Sequence, residues 1–139
     1  TWLVEPRRPR MAAHAASVLV VLAVPGLLSG CDRGALSAQQ AASLTGGGDA
    51  GKGAGAIRRF GCGACHAIPG IPGAEGQVGP PLAGIGGRAY IAGVLTNTPE
   101  HMVRWIVNPR GVDSLTAMPN LGVTEGEAKD IAAYLYTRR

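Results

Sequence analysis

Bulky side chains are scarce in this chain of 139 residues, which has one Phe, two Trp and three Tyr against 22 Gly and 10 Pro. After Cys31 the aromatic residues are Phe60, Tyr90, Trp105, Tyr134 and Tyr136. A folded domain with so little bulk is marginal by itself, so something other than its own side chains is expected to fill part of the core. Cysteine and histidine are also few, at three each. A structural zinc site needs four ligands, usually as two pairs. Apart from Cys62, Cys65 and His66 the chain offers only His14, Cys31 and His101, and no second pair. A redox dithiol of the thioredoxin kind needs a strand–helix alternation that the sequence does not suggest. Charge of one sign is missing as well. The net charge is +4, and from Cys31 onward ten Lys/Arg against eight Asp/Glu leave +2. That excess gives no basis for nucleic-acid binding. Finally, no apolar run is long enough to span a bilayer comfortably, the longest core being residues 18–24.

What is present is the hexapeptide Gly61-Cys62-Gly63-Ala64-Cys65-His66. It reads C-x-x-C-H, the attachment signature of a c-type haem. Two thiols three positions apart on one turn can each form a thioether with one vinyl group of the same porphyrin. The following imidazole then lies under the iron. The small residues Gly63 and Ala64 are expected to let the ring lie against the backbone. One haem, covalent through Cys62 and Cys65, is the cofactor expected, and it is also a filler for a core short of bulk.

The N-terminal segment reads as an address. Arg7, Arg8 and Arg10 precede an apolar stretch over residues 12–28 that ends in small residues, the pattern of a secretory signal. With Met11 as the first residue these arginines would be lost, so the expected start lies upstream. The run ends Leu28-Ser29-Gly30-Cys31, which resembles the bacterial lipobox. The resemblance implies a lipidated Cys31, a signal peptide over 1–30 and a lipid anchor without a spanning helix. Ordinary signal cleavage, with Cys31 a lone thiol, is the alternative. Residues 32–48 are mostly Ala, Ser, Gln and Gly without periodicity. They predict a flexible tether over 31–48, with at most a transient helix and a reach of about 20–25 Å.

The folded domain is expected over 49–139. Asp49 suits the cap of a first helix over 49–60, whose glycines at 51, 53 and 55 each weaken it by up to ~1 kcal/mol unless close backbone approach compensates. Residues 68–88 are too rich in Pro and Gly for regular structure. The imidazole of His66 needs its second nitrogen hydrogen-bonded, and a rigid proline loop with free carbonyls is a good provider. Residues 90–95 are ambiguous between a short helix and an extended turn. Thr98-Pro99-Glu100 opens a helix that Asn108-Pro109 ends. Met102 on that helix reads as core, and His101 reads as exposed. Thr124-Glu125-Gly126-Glu127 is a capping box for a last helix whose inward face is Ala128, Ile131, Ala132 and Leu135. Met118, in the loop between these helices, is the candidate sixth ligand, since a soft neutral thioether favours ferrous iron. A methionine filling a gap in the core is the plain alternative.

Taken together, the haem motif, the run Gly79-Pro80-Pro81-Leu82-Ala83-Gly84-Ile85-Gly86-Gly87-Arg88, and the pattern Trp105-x-x-Asn108-Pro109 resemble class I cytochromes c. The ligand methionine of that family lies nine residues after the proline, as Met118 does after Pro109. The resemblance implies a small all-α cytochrome c fold, with three to four short helices around one covalent haem. It implies that the Pro80 carbonyl accepts from His66, that Leu82 packs on the ring and that Arg88 lies near a propionate. It also implies that Trp105 stands beside the ligand and that Thr116 precedes Met118 as in the family. The family often has Pro-Gly before that threonine; Ser114-Leu115 stands here instead, which puts the rigidity of the loop in question. The last helix is expected to cross the first.

The function implied is one-electron transfer by a non-enzymatic carrier with His66 and Met118 as axial ligands. It would be tethered on the periplasmic side of the membrane and exchange electrons with redox proteins such as a terminal oxidase. Alternatives are a gas-binding sensor in which Met118 dissociates, a bis-His site using His101, a haem peroxidase, and a fixed haem subunit of a larger oxidoreductase.

Overall fold

The computed structural model describes residues 35–138. Cys31 and the expected signal segment lie outside the described residues. Among the described residues there are five helices and one small hairpin. In chain order they are α1 (Ala38–Leu44), α2 (Ala50–Arg59), β1 (Tyr90–Ile91), β2 (Leu95–Thr96), α3 (Pro99–Val107), α4 (Pro109–Val112) and α5 (Glu125–Tyr136). Single 3-10 turns at Cys62–Ala64 and Ile85–Gly87 punctuate the long connection from α2 to β1. No described helix is long and apolar enough to cross a membrane.

The caps account for where the helices begin. Asp49 accepts from the N–H groups of Gly51 and Lys52 at 2.8 and 3.0 Å. Thr98 caps α3 ahead of Pro99. Thr124 and Glu127 form a reciprocal capping box at α5, which satisfies N–H groups that a helix start leaves unpaired.

The frame is the crossing of α2 over α5. A Cβ placed on Gly53 would fall 2.6 Å from the carbonyl carbon of Asp130, so the backbones meet with no side chain between them. Gly55 has open space and Gly51 meets only the Asp49 side chain, so of the three glycines only Gly53 serves the crossing. Ile57 of α2, Met102, Trp105 and Ile106 of α3, and Ile131 and Leu135 of α5 are buried around it.

The structure corrects or sharpens the sequence expectation in three places. The tether predicted over 31–48 is folded from residue 37 onward, where α1 packs on α5. Ala41 is fully buried, the Thr45 hydroxyl donates to the Ala41 carbonyl at 2.8 Å, and Gly48 abuts the backbone of Lys129. The absence of bulk that reads as linker is what lets this segment lie close on α5. The ambiguous stretch 90–95 is a hairpin, with Tyr90 opposite Thr96 and Ile91 opposite Leu95. Beyond Asn108 the chain does not go straight into a loop but makes the extra turn α4, whose Gly111 N–H donates to Asn108 Oδ1 at 2.9 Å. Within 49–138 the helices are therefore four, α2 to α5, in line with the three to four expected there, and α1 is added ahead of them.

Candidate functional site

The haem-type motif hangs from the end of α2. Gly61 takes φ +69°, a left-handed conformation that glycine adopts without strain, and the chain turns sharply. His66 N–H and Cys65 N–H both donate to the Cys62 carbonyl, at 3.0 and 3.2 Å. Cys62, Cys65 and His66 thus share one turn, and all three are half-buried. The cysteines are free thiols, and burial pushes the Cys62 thiol up from its ordinary pKa.

The small residues between the thiols have another role than expected. Gly63 faces Ala74, where an added Cβ would come within 2.8 Å of the Ala74 Cα. Gly76 N–H donates to the Gly63 carbonyl at 3.1 Å. The loop 71–76 covers that side of the turn, and neither Gly63 nor Ala64 lines the cavity that Cys62, Cys65 and His66 line.

His66 Nδ1 lies 2.7 Å from the Pro80 carbonyl oxygen. With the proton on Nδ1 the imidazole donates there, and Nε2 keeps its lone pair. Gly79 lies against the imidazole: a Cβ there would fall 2.7 Å from Nδ1. The proline loop is stitched to the motif by Gly79 N–H to Cys65 O at 2.8 Å and Leu82 N–H to Ala67 O at 2.9 Å.

These groups open on one cavity of about 580 Å³. Its walls are largely apolar, with Ile57, Phe60, Ile68, Ile131 and Leu135 among them. Nine candidates named from the sequence within the described residues line it: Cys62, Cys65, His66, Pro80, Leu82, Arg88, Trp105, Thr116 and Met118. Met118 is half-buried, and its N–H donates to Thr116 Oγ1 at 3.2 Å. Trp105 is buried on α3, and so is Met102, which also reaches the cavity wall. Tyr90 lines the mouth and stays exposed. Cys31, the lipidation candidate, is outside the described residues.

Arg88, which lines the cavity, also has protein partners. Its guanidinium donates through Nη2 to the carbonyls of Pro81 at 2.7 Å and Ala83 at 2.9 Å, so it clamps the loop that presents Pro80. His101 is not among the cavity residues; its Nδ1 faces the Thr96 carbonyl at 2.9 Å. This removes the motive for a bis-His site built on His101.

Asn97 is the residue the sequence reading missed. Its amide donates to the carbonyls of Ile85 at 2.7 Å and Arg88 at 2.9 Å, and accepts from the Tyr136 hydroxyl at 2.8 Å. Tyr134 similarly donates to the Pro69 carbonyl at 2.7 Å. The C-terminal turns of α5 therefore hold both loops that follow the haem-type motif. Nothing in the residue types signalled this, since an asparagine just before a helix cap reads as an ordinary loop residue.

The donor set suits a flat apolar macrocycle with a metal at its centre. The cavity falls within the usual range for buried ligands, about 300–1,000 Å³, and offers two adjacent thiols, one oriented imidazole and one thioether. Among the described residues no three or more of His, Cys, Asp and Glu are gathered in a cluster fit for a metal ion alone. Comparison of the chain with protein-family models, curated proteins and solved structures finds no match.

Proposed function

We propose that this protein is a one-electron carrier of the class I cytochrome c type, with one covalent haem and His–Met ligation. The observation that carries this reading is that His66, oriented by the Pro80 carbonyl, and Met118 line the same apolar cavity as the two thiols of the motif. Cys62 and Cys65 would hold the macrocycle by two thioethers, each S–H adding across one vinyl group. His66 Nε2 and Met118 Sδ would be the axial ligands. A haem held by these groups supplies a reversible ferric–ferrous couple. With His66 and Met118 both holding the iron, no position would be left for substrate, which is why we read a carrier and not an enzyme. The neutral thioether of Met118 favours the ferrous state. The apolar walls exclude water, and the Pro80 hydrogen bond keeps His66 in one tautomer. The partners would be redox proteins, including a membrane respiratory complex such as a terminal oxidase. Export and lipidation at Cys31 would hold the carrier at the periplasmic face of the membrane.

The test is a visible and near-infrared spectrum of the full chain expressed with periplasmic haem-maturation machinery. The expected result is a c-type reduced spectrum and a weak near-infrared band of methionine-to-ferric-iron ligation that Met118→Ala abolishes. Carbon monoxide binding by the reduced wild type would overturn the closed carrier in favour of a gas-binding protein. Absence of covalent haem would overturn the reading altogether.

A further inference from the structure

The segment that carries Met118 is thinly packed. Ser114, Leu115, Ala117, Pro119, Asn120 and Leu121 are all exposed, Leu115 to 92%. Its first half is shaped by local bonds. Thr116 N–H donates to the Asp113 carbonyl at 3.2 Å, and Leu115 N–H donates to Asp113 Oδ1 at 3.0 Å. Such turns fix the form of the loop but not its distance from the cavity. No Pro-Gly pair precedes Thr116 to stiffen it.

The second half is tied elsewhere. Asn120 Nδ2 donates to Asn108 Oδ1 at 3.0 Å, and the Arg110 N–H donates to Asn120 Oδ1 at 3.3 Å. Asn108 is a fixed anchor. Its N–H donates to the Arg104 carbonyl of α3 at 3.1 Å, and its Oδ1 also caps α4 through Gly111 N–H. Gly111 leaves no slack, since a Cβ there would fall 2.6 Å from Asn108 Cγ. Pro109, the next residue, is fully buried in the core. Asn120 is two residues from Met118, a stretch that spans at most about 7 Å. Anchoring its amide therefore confines the Met118 backbone.

We propose that the Asn108–Asn120 amide pair is a latch that positions Met118 at the cavity. The proposal rests on the reading of Met118 as an iron ligand. Asn120 acts through Met118 and is a positioning residue. The energetic reasoning is about scale. One net hydrogen bond shifts an equilibrium by about fivefold. Against the stability of a whole domain that is small, but it is large for the local equilibrium between a seated and a displaced methionine.

The experiment uses the haem-loaded full chain in the ferric state, with imidazole as the probe that competes with Met118. Wild type, Asn120→Ala, Asn120→Asp and the control Leu115→Ala are titrated with imidazole while the near-infrared band is followed. Asn120→Asp keeps the acceptor for Arg110 N–H but removes the donor to Asn108, and serves if the alanine variant folds poorly. The expected result is retained covalent haem and helix content in both Asn120 variants, a weaker near-infrared band, and imidazole binding tighter by about fivefold. Leu115→Ala should match wild type. Unchanged band and imidazole affinity in both Asn120 variants would overturn the latch while leaving Met118 as ligand. A wild type with haem but no such band would overturn the ligand assignment, and the latch with it. Hydrogen exchange on the haem-loaded chain gives an independent readout: the Arg110 amide should exchange faster in Asn120→Ala, and equal rates would count against the latch.

Discussion

The carbonyl oxygen of Pro80 lies 2.7 Å from His66 Nδ1, across a separation of 14 residues. That contact fixes which imidazole nitrogen faces the cavity. It is reached because Gly79 leaves no atom beyond Cα to hold the loop away from the imidazole. Arg88 braces the same loop from its far end through Pro81 and Ala83. In turn, Asn97 holds the Arg88 carbonyl and Tyr136 holds Asn97.

Gly79→Ala should break this arrangement. The new methyl overlaps the imidazole, and either His66 or the loop must move. We expect a loss of about 1–3 kcal/mol in stability, the usual cost of forcing atoms into a filled space, and, under the function proposed above, less haem incorporated per chain. Urea unfolding and the haem-to-protein absorbance ratio would measure both. Full stability and full incorporation would show that the contact is dispensable.

The α2–α5 crossing predicts opposite outcomes for two glycines of one helix. Gly53→Ala meets the Asp130 carbonyl and should destabilise by about 1–3 kcal/mol. Gly55→Ala has open space and should stabilise by about 0.5–1 kcal/mol, from the lower backbone entropy of alanine in a helix. Thermal melts of the two variants decide it; equal shifts would contradict the crossing geometry.

Docking of α1 on α5 predicts that the segment before residue 49 behaves as part of the domain. Ala41 is fully buried, so Ala41→Glu should cost about 1–3 kcal/mol and speed amide exchange across 38–48. A flexible tether would give no change in either measurement.

Acid should loosen the start of α5. Glu127 is held below the usual glutamate range by its hydrogen bonds to the N–H and hydroxyl of Thr124, and then by Arg59 at 2.6 Å. Lys129 lowers Glu125 in the same way, by hydrogen bond and charge. A carboxyl whose folded pKa is depressed contributes stability above its unfolded value, about 4.3, and loses it as pH falls through the folded pKa. The urea midpoint should therefore drop below about pH 4.3, and Glu127→Gln should flatten that drop. High salt should weaken the Arg59 part, since the pair is exposed to solvent. An identical acid profile in Glu127→Gln would rule this group out as a contributor.

Much of the candidate site is legible in local sequence because its chemistry is local. Cys62, Cys65 and His66 share one turn by spacing alone. Helix starts at Asp49, Thr98 and Thr124 follow from side chains that reach N–H groups two or three residues on. What only the tertiary structure decided is how backbones approach one another. That Gly53 and not Gly55 meets α5, that Gly63 faces Ala74 and not the cavity, and that residues 38–48 fold onto α5 all depend on partners far along the chain. A small residue carries no mark of what lies against it. The same holds for Asn97 and for the Asn108–Asn120 pair, polar residues whose partners are set by the fold. Side-chain periodicity reports what a helix buries, but a backbone-to-backbone contact buries no side chain and leaves no period to read.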